Sequence, residues 1–406
     1  MPGTQPLVFG EHEPNTLSQL SDVASRAERA ALMADGHLGY VMPIGGVAAY
    51  RDQVSVVGVG FDIACGNAAI RTDLTLDSSP DLVRRRHELA DEIQRVLSFG
   101  VGRKNTSDDA PVDHPLFDDP AWDAVPYQAR AALRQKARAQ LGTVGSGNHY
   151  VDVFVDETGA IWVGVHFGSR GFGYTIASGF LALSQNQPWG ARVPEREVLL
   201  RLGQPIGHDY WALMSLAGQY AYAGREWVAR KVVALLGGRE LELVHNHHNF
   251  AWRETHGGDE MIVVRKGATP AFPGQKGFVG GSMGDDAVIV QGTVAGDAAV
   301  RDLQTGGLYS TVHGAGRVMS RTAAAGRRNR RGRQLSRGAI SPQMMHTWVR
   351  DKDVVLRGGG VDESPHVYRR LPEVLAAQRG TIEILHTLKP LIVVMAGEDI
   401  EDPYKD

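Results

Sequence analysis

Two apolar runs follow one another with no helix between them in "HYVDVFVDETGAIWVGVHFG", residues 149–168. The first run alternates apolar and polar residues and the second is almost continuously apolar, and both patterns are typical of β-strands. Similar short runs recur along the chain as "SVVGVGF", "ELVHNHHNF", "EMIVVRKG", "DAVIVQG" and "LIVVMAG". Because helices and strands do not alternate strictly, the sequence predicts an α+β fold rather than a doubly wound parallel sheet. We expect mixed, mostly antiparallel sheets with flanking helices.

Apolar residues at helical spacing predict six helices, over residues 17–34, 80–97, 126–140, 209–236, 341–349 and 371–388. The polar, proline-rich segment 104–122 predicts a surface excursion. No linker divides the chain convincingly, so we expect a single large domain over residues 1–406.

Composition limits the class of protein. The chain has 406 residues, of which 43% are hydrophobic, and a net charge of −3. It can therefore bury a large core, and a nucleic-acid partner would need a local basic patch. One cysteine excludes an intrachain disulfide and favours a reducing compartment. The N-terminal sequence lacks the pattern of a signal peptide, and no window resembles a membrane helix. We expect a soluble, cytoplasmic protein.

The only cysteine, Cys65, lies three residues after Asp62 in the glycine-flanked "GVGFDIACG". Taken alone, a cysteine or a histidine is usually a packed structural residue. Together with imidazoles from other strand ends, these two side chains would form a mixed oxygen, sulfur and nitrogen ligand set. One thiolate can bridge two cations, and this mixture suits Mn, Zn, Co or Fe better than Mg or Ca. The candidate histidines are His149, His166, His248 and His313.

Several glycine-rich segments could bind phosphate. "HGAGR", residues 313–317, combines a histidine, two glycines and Arg317, whose guanidinium suits phosphate oxygens. "GGSMG", "RKGAT" and "GSRGFG" offer the same possibility, and each could equally be a simple turn. A basic run follows, which is either a solvated surface segment or a rim that guides a polyanion. Its members are Arg327, Arg328, Arg330, Arg331, Arg333 and Arg337.

These segments together resemble the RtcB family of RNA-splicing ligases. The resemblance runs in family order over nearly the whole chain and includes "HLGYVMPIGGVAAY", "GVGFDIACG", "LGTVGSGNHYVDV", "HFGSRGFG", "HHNF", "ETHGG", "RKGAT", "GGSMG", "HGAGRVMSR", "DESPHVY" and "LKPL". It implies an enzyme that uses GTP and Mn²⁺ to join an RNA 3′-phosphate or 2′,3′-cyclic phosphate to a 5′-hydroxyl.

The resemblance also implies residue roles. Asp62, Cys65 and His149 would hold one metal ion. Cys65, His166 and His248 would hold the second, with the thiolate shared between them. His313 would carry the guanylate. The nucleotide would be bound by Asn148, Asp152, Asn249, Gly280, Gly281, Ser282, Met283, Gly314, Ala315, Gly316 and Tyr368. RNA or phosphate would contact Arg170, Arg265, Lys266 and Arg317.

Three positions depart from the family pattern. The chain ends in "LIVVMAGEDIEDPYKD", so Met395 or Ala396 stands where a guanine-reading lysine is expected. Asp152 replaces a glutamate, and Ala287 replaces a serine. All three concern base recognition, which leaves two alternatives to the ligase: a metal-dependent RNA-end phosphoesterase, or a non-catalytic protein that binds RNA ends. The implied partners are RNA with broken ends, GTP and an accessory activator, and the chain would be a monomer or weak dimer.

Overall fold

Two β-sheets contain most of the strands in the computed structural model, which describes residues 5–328 and 334–397. The strands are β1 (Leu7–Val8), β2 (Arg29–His37), β3 (Ile44–Tyr50), β4 (Gln53–Ser55), β5 (Gly66–Thr75), β6 (Tyr150–Val155), β7 (Ala160–Phe167), β8 (Leu199–Arg201), β9 (Glu240–His247), β10 (Asn249–His256), β11 (Asp259–Lys266), β12 (Ala268–Pro270), β13 (Lys276–Val279), β14 (Ala287–Gly292), β15 (Ser310–Val312), β16 (Gly326–Arg328), β17 (Gln334–Arg337), β18 (Val355–Arg357) and β19 (Ile382–Met395).

Helices lie between and outside these strands. The α-helices are α1 (Pro14–Ala24), α2 (Val56–Val59), α3 (Pro80–Arg84), α4 (Arg86–Val96), α5 (Tyr127–Gln140), α6 (Arg170–Ser184), α7 (Pro205–Leu235), α8 (Ala298–Gly306), α9 (Arg321–Ala325), α10 (Pro342–Asp351) and α11 (Leu371–Ala376). Short 3₁₀ turns cover Pro115–Asp118, Pro120–Ala124, Val361–Glu363 and Pro365–Val367. Within the described ranges, none of these helices has the length and apolar character needed to cross a membrane.

The larger sheet has the strand order β13-β14-β19-β6-β7-β5-β9, with β18 added beside β19. The smaller sheet has the order β1-β2-β3-β11-β10. Among the named strands, only the β1–β2 and β18–β19 pairs are parallel. The two sheets pack against each other through aliphatic side chains, including Val47 and Val263 on one side and Val279 and Val290 on the other. The predicted α+β fold with mostly antiparallel sheets is therefore confirmed.

Helices α4 and α7 cover one face of the larger sheet. Every residue of β7 is buried, which explains why this strand is an apolar run rather than an alternating one. Valines of β6 and β7 pack with Leu89 and Ile93 of α4 and with Val228 and Val232 of α7. The same layer therefore supports the strand ends that carry the candidate site.

Two of the predicted helices are wrong over their second halves. Residues 29–37 form β2 instead of continuing the helix predicted over 17–34, because pairing with β1 and β3 overrides the helical propensity of its alanines, leucine and methionine. The helix predicted over 371–388 ends at Ala376, where Arg379 and Gly380 take positive φ angles of 53° and 78° and turn the chain into β19.

Three smaller expectations also need correction. "SVVGVGF" contains the single helical turn α2, because the Ser55 hydroxyl accepts a hydrogen bond from the Gly58 N–H at 2.8 Å. The helix predicted over 80–97 is divided at Arg85 into α3 and α4. The surface excursion predicted over 104–122 is only partly exposed, since Leu116, Phe117 and Trp122 are buried in the main core.

Helix α6 is absent from the sequence prediction, because its first turn has the glycine-rich sequence "GSRGFG". Phe172, Ile176 and Phe180 recur every four residues along it, and all three are buried. This spacing was the available signal.

Candidate metal and nucleotide site

The candidate ligands meet at one edge of the larger sheet because of strand register. The first residue of β5, Gly66, pairs with Phe167 at the end of β7 and with His247 at the end of β9. The first residue of β6, Tyr150, pairs with His166. In an antiparallel sheet, the start of one strand lies beside the end of its neighbour. Residues at or near these strand ends are therefore brought together although they are up to 186 positions apart, from Asp62 to His248.

Two triads of potential ligand atoms form at this edge, and they share Cys65. One triad is Asp62, Cys65 and His149, and the other is Cys65, His166 and His248. Within each triad the ligand atoms lie within 4.8 Å of one another. Cys65 Sγ lies 3.7 Å from His149 Nε2 and 3.6 Å from His166 Nε2. His149 Nε2 also lies 3.2 Å from a carboxylate oxygen of Asp62.

Burial controls the protonation of these groups in the absence of a cation. Burial, with the nearby Asp62 carboxylate, raises the pKa of the Cys65 thiol well above its usual range. Burial also lowers the pKa values of His166 and His248 well below theirs, so both imidazoles are neutral. For Asp62, burial raises the pKa, but the hydrogen bond with His149 opposes this and the net effect is a lowered pKa. The site therefore presents the neutral imidazoles of His166 and His248 and one carboxylate around a protonated thiol.

The residues present fit a metal pair. His166 Nδ1 lies 2.5 Å from the Asn67 side-chain oxygen, which leaves Nε2 directed to Cys65 as a ligand lone pair. His248 Nδ1 is buried and has no hydrogen-bond partner among the described residues. A buried nitrogen without a hydrogen-bond partner is costly unless it binds something. Mixed sulfur, nitrogen and oxygen donors suit Mn, Zn or Co.

His313 lies beside this pair of triads. It directly follows β15, and its ring centre is 4.9 Å from that of His248. His313 Nδ1 lies 2.5 Å from Oδ2 of Asp35, a carboxylate that is fully buried. The same oxygen accepts hydrogen bonds from the backbone N–H groups of His313 and Gly314, at 3.1 and 3.3 Å. Asp35 Oδ2 is thus at ion-pair distance from Nδ1, although the contact does not have the angle of a hydrogen bond, and Nε2 is the nitrogen left for chemistry.

The sequence did not identify Asp35 as a site residue. It lies just beyond the segment that was predicted as a helix and is instead in β2. The predicted phosphate cradle also differs, because the N–H groups of His313 and Gly314 bind Asp35. Gly316 allows this contact, since it has a φ of 76° and a Cβ there would lie 2.4 Å from the Asp35 carbonyl oxygen. An acidic residue followed by glycine in an apolar strand was the only available signal.

A cavity of about 670 Å³ contains the triads and His313. This volume is within the range of small-molecule sites. All eleven residues predicted to bind the nucleotide line it: Asn148, Asp152, Asn249, Gly280, Gly281, Ser282, Met283, Gly314, Ala315, Gly316 and Tyr368. The structure thus brings together every residue assigned to the metals, the nucleophile and the nucleotide.

One wall of the cavity is apolar around Asp152. Val393 of β19 pairs with Asp152, and Met395 pairs with Tyr150. Asp152 is only 7% exposed, and its Oδ1 has no partner among the described residues. Burial raises the pKa of Asp152 well above its usual range. Met395 lines the cavity, whereas Ala287 is buried in the core of β14 and does not.

The four arginine and lysine residues predicted to contact RNA differ in placement. Arg317 lines the cavity, where it binds Glu363 at 3.2 Å and the Tyr368 hydroxyl at 3.0 Å. Arg170 Nη1 lies 3.1 Å from His149 Nδ1, behind the first triad. Lys266 is buried and donates to the Val57 carbonyl at 3.2 Å.

Arg265 lies away from the cavity lining. Its guanidinium is fully buried, and one of its nitrogens lies 2.6 Å from the carboxylate of Glu254. It also donates to the Ser310 hydroxyl and to the Leu308 carbonyl. These contacts occupy the guanidinium, so Arg265 is not available as a phosphate contact.

The basic run is only partly described. Arg330, Arg331 and Arg333 lie outside the described residues. Arg327 and Arg337 are exposed on the β16–β17 hairpin, which follows the cavity-lining start of α9.

The fold and site define an α+β protein with a candidate two-metal centre beside a histidine that lies against a buried carboxylate. A family model described as tRNA-splicing ligase RtcB matches residues 16–396. The chain therefore belongs to the RtcB family, which confirms the resemblance seen in its motifs.

Relatives from bacteria and archaea match over most of their length. The RNA-splicing ligase RtcB of Escherichia coli strain K12 is 30% identical over 391 residues, covering 90% of this chain and 89% of the relative. The tRNA-splicing ligase RtcB of Thermococcus kodakarensis is 29% identical over 454 residues, covering 93% and 90%. That of Nanoarchaeum equitans is 29% identical over 460 residues, covering 94% and 92%.

Proposed function

We propose that this chain joins an RNA 3′-phosphate or 2′,3′-cyclic phosphate end to a 5′-hydroxyl end, using GTP through a covalent His313-guanylate. Membership of the RtcB family makes the chain an RNA ligase enzyme. The use of GTP and manganese and the covalent histidine intermediate are finer parts of the proposal. The two triads of metal-ligand atoms and the placement of His313 support them.

The single observation that carries the proposal is the position of His313. Its Nδ1 lies 2.5 Å from a buried carboxylate, its ring centre lies 4.9 Å from that of a candidate metal ligand, and it lines a nucleotide-sized cavity. This placement suits a nucleophile.

Two Mn²⁺ ions are proposed as cofactors, held by the two triads that share Cys65. Zn²⁺ or Co²⁺ would suit the same donors. When bound, the cations would neutralise phosphate oxygens and act as Lewis acids. Cys65 must give up its proton to bind them, and its sulfur must also stay unoxidised, so the proposal places the enzyme in a reducing, cytoplasmic setting.

The covalent steps follow from the residues around His313. Nε2 attacks the α-phosphorus of GTP, the N–P bond forms, and the bond to the β-phosphate oxygen breaks as pyrophosphate leaves. Asp35 holds the Nδ1 proton, which keeps the reacting nitrogen oriented and stabilises the charge that develops on the ring. The phosphoramidate so formed keeps the guanylate reactive.

The guanylate then passes to RNA. An oxygen of the RNA 3′-phosphate attacks the guanylate phosphorus, the N–P bond breaks, and His313 is restored. The 5′-hydroxyl of the second strand attacks the activated 3′-phosphate, and GMP leaves as the phosphodiester forms. A cyclic phosphate end must first be opened by water. The need for an accessory activator, and a monomeric or weakly dimeric state, stay predictions.

The proposal is tested by incubating the protein with Mn²⁺ and each of the four nucleoside triphosphates labelled at the α-phosphate. GTP should label the protein through an acid-labile bond, and His313→Ala should abolish the label. His386→Ala is the control, because His386 lies on β19 and binds Glu157 instead of lining the cavity. Labelling that survives in His313→Ala would disprove the assigned nucleophile.

The same assay separates the alternatives. A phosphoesterase would remove a cyclic phosphate from RNA with no nucleotide and without joining. A binding protein would retain RNA ends but form no label with any nucleotide.

A further inference from the structure

A buried arginine on α7 contacts the backbone behind the candidate metal centre. Arg225 is 0% exposed. Burial lowers the pKa of Arg225 to about 10, so the guanidinium still carries its charge at neutral pH. None of its hydrogen-bond partners among the described residues is a carboxylate. A buried charge without a carboxylate partner is costly and indicates a specific role.

The hydrogen bonds of Arg225 go to three segments that carry candidate ligands. Nη1 donates to the carbonyl oxygens of Ala64 at 2.9 Å and Phe167 at 2.6 Å. Nη2 lies 2.8 Å from His247 Nδ1. Each of these three residues is the immediate neighbour of a candidate ligand, which is Cys65, His166 or His248 respectively.

The other contacts of Arg225 hold the guanidinium in place. Nε donates to His245 Nε2 at 2.9 Å, and His245 Nδ1 lies 3.5 Å from the carboxylate of Glu226. The Arg225 guanidinium also lies 5.4 Å from the centre of the Tyr222 ring, which stacks on His247. These contacts leave the side chain little freedom to move.

The segment before Cys65 needs such support. Ala64 has a φ of 61°, a left-handed conformation that costs a residue with a Cβ about 1–2 kcal/mol. The Cys65 carbonyl accepts the N–H of His248 at 2.8 Å, so any movement at Ala64 is passed directly to a second ligand segment. The carbonyl that Arg225 binds belongs to this strained residue.

We propose that Arg225 is a positioning residue for the metal centre, in which one guanidinium fixes the backbone segments that carry Cys65, His166 and His248. The inference rests on the proposed metal-dependent function. Arg225 touches no ligand atom, so it acts through the geometry of the three segments. A side chain without the guanidinium should leave the ligands less well placed.

The test is a Co²⁺ titration of the full chain without nucleotide or RNA. It follows the ligand-field bands and the thiolate-to-cobalt charge-transfer absorption. Arg225→Gln should bind Co²⁺ about 10–100-fold more weakly, the range found when groups behind metal ligands are removed. Arg225→Lys keeps the positive charge but loses the planar guanidinium, so its Co²⁺ affinity should lie between those of Arg225→Gln and the wild type.

Arg265→Gln is the matched control. Arg265 is as deeply buried as Arg225 but binds Glu254, Ser310 and Leu308. The control should lose stability and keep its Co²⁺ affinity and spectrum.

Several results would overturn the inference. One is that Arg225→Gln folds and keeps the wild-type Co²⁺ affinity and charge-transfer band. Another is that Arg225→Gln and Arg265→Gln lose Co²⁺ affinity equally. If Arg225→Gln does not fold, Arg225→Lys decides in the same way. A wild-type protein that binds no Co²⁺ would instead count against the metal-dependent function.

Discussion

At the scale of single residues, Asp35 determines how His313 can react. Its carboxylate engages Nδ1 and two backbone N–H groups at once. Asp35→Asn removes the charge that stabilises the ring while it carries phosphorus, so we expect nucleotide transfer to fall about 100-fold or more. The measurement is the rate of protein labelling under single-turnover conditions.

Glu254→Gln provides the control for Asp35→Asn. Glu254 forms a similar buried pair, with its carboxylate 2.8 Å from His256 Nε2, outside the cavity lining. We expect the labelling rate of Glu254→Gln to stay near wild type. Equal losses in the two variants would contradict a specific role for Asp35.

Asp152 leads to a second prediction at this scale. Burial raises the pKa of Asp152 well above its usual range, which favours the neutral carboxyl, and a neutral carboxyl resembles an amide in shape and charge. Asp152→Asn should therefore keep kcat/KM for nucleotide transfer within about tenfold of wild type. Asp62→Asn, which alters a candidate ligand with a lowered pKa, should lose most activity. A loss in Asp152→Asn as large as in Asp62→Asn would show that Asp152 acts as a carboxylate.

The single residues of the site were predictable to different degrees. Cys65 and the histidines carried a signal only in combination, because thiol, imidazole and carboxylate groups together form a ligand set although each alone is usually a structural residue. Asp35 and Arg225 carried none, because an acid in a strand and an arginine on a helix are ordinary until the fold shows what they touch. Arg265 was wrongly predicted to contact RNA or phosphate. Its motif, "RKGAT", suggested phosphate binding, but in the structure Arg265 forms a buried ion pair with Glu254.

At the scale of elements, the pairing of α7 with β9 gives a pH-dependent contribution to stability. The hydrogen bond from His245, with a second contribution from Arg230, lowers the pKa of Glu226 from 4.5 to about 2. A carboxyl with a lowered pKa stabilises the fold above its unfolded pKa, and this stabilisation is lost as the pH falls from 4.5 towards 2.

We therefore expect Glu226→Gln to lower the free energy of unfolding at neutral pH by about 1 kcal/mol, since the side chain is partly exposed. The difference from wild type should shrink through this pH range and vanish near pH 2. Urea denaturation at several pH values measures it. Glu240→Gln is the control, because Glu240 binds Arg230 but no histidine. A difference that does not change with pH would contradict the assignment.

Elements were predictable where local pattern and tertiary environment agree. The apolar run of β7 and the long helix α7 satisfy both, and each was predicted. Residues 29–37 were not, because alanine, leucine and methionine favour helix locally, while the two neighbouring strands impose a strand. Register between distant strands has no local signal, so the sequence could suggest that the ligands meet at one sheet edge but could not establish it.

At the scale of the whole molecule, the candidate metal ligands span the chain from Asp62 to His248 and lie at the ends of four different strands. Metal binding should therefore stabilise the whole fold and not a single loop. At a free Mn²⁺ concentration about 100 times the Kd, one site contributes about 2.7 kcal/mol. We expect Mn²⁺ to raise Tm and a chelator to reverse this. Cys65→Ser should lose most of the shift, since both triads share the thiol. An unchanged Tm in wild type would contradict a metal centre.

The central claim is that the sulfur atom of Cys65 bridges two cations beside His313. Anomalous diffraction at the manganese edge, on crystals of the Mn²⁺-loaded protein, tests it most directly. The account predicts two peaks, both at bonding distance from Cys65 Sγ, one beside Asp62 and His149 and the other beside His166 and His248. A single peak, or peaks remote from Cys65, would contradict it.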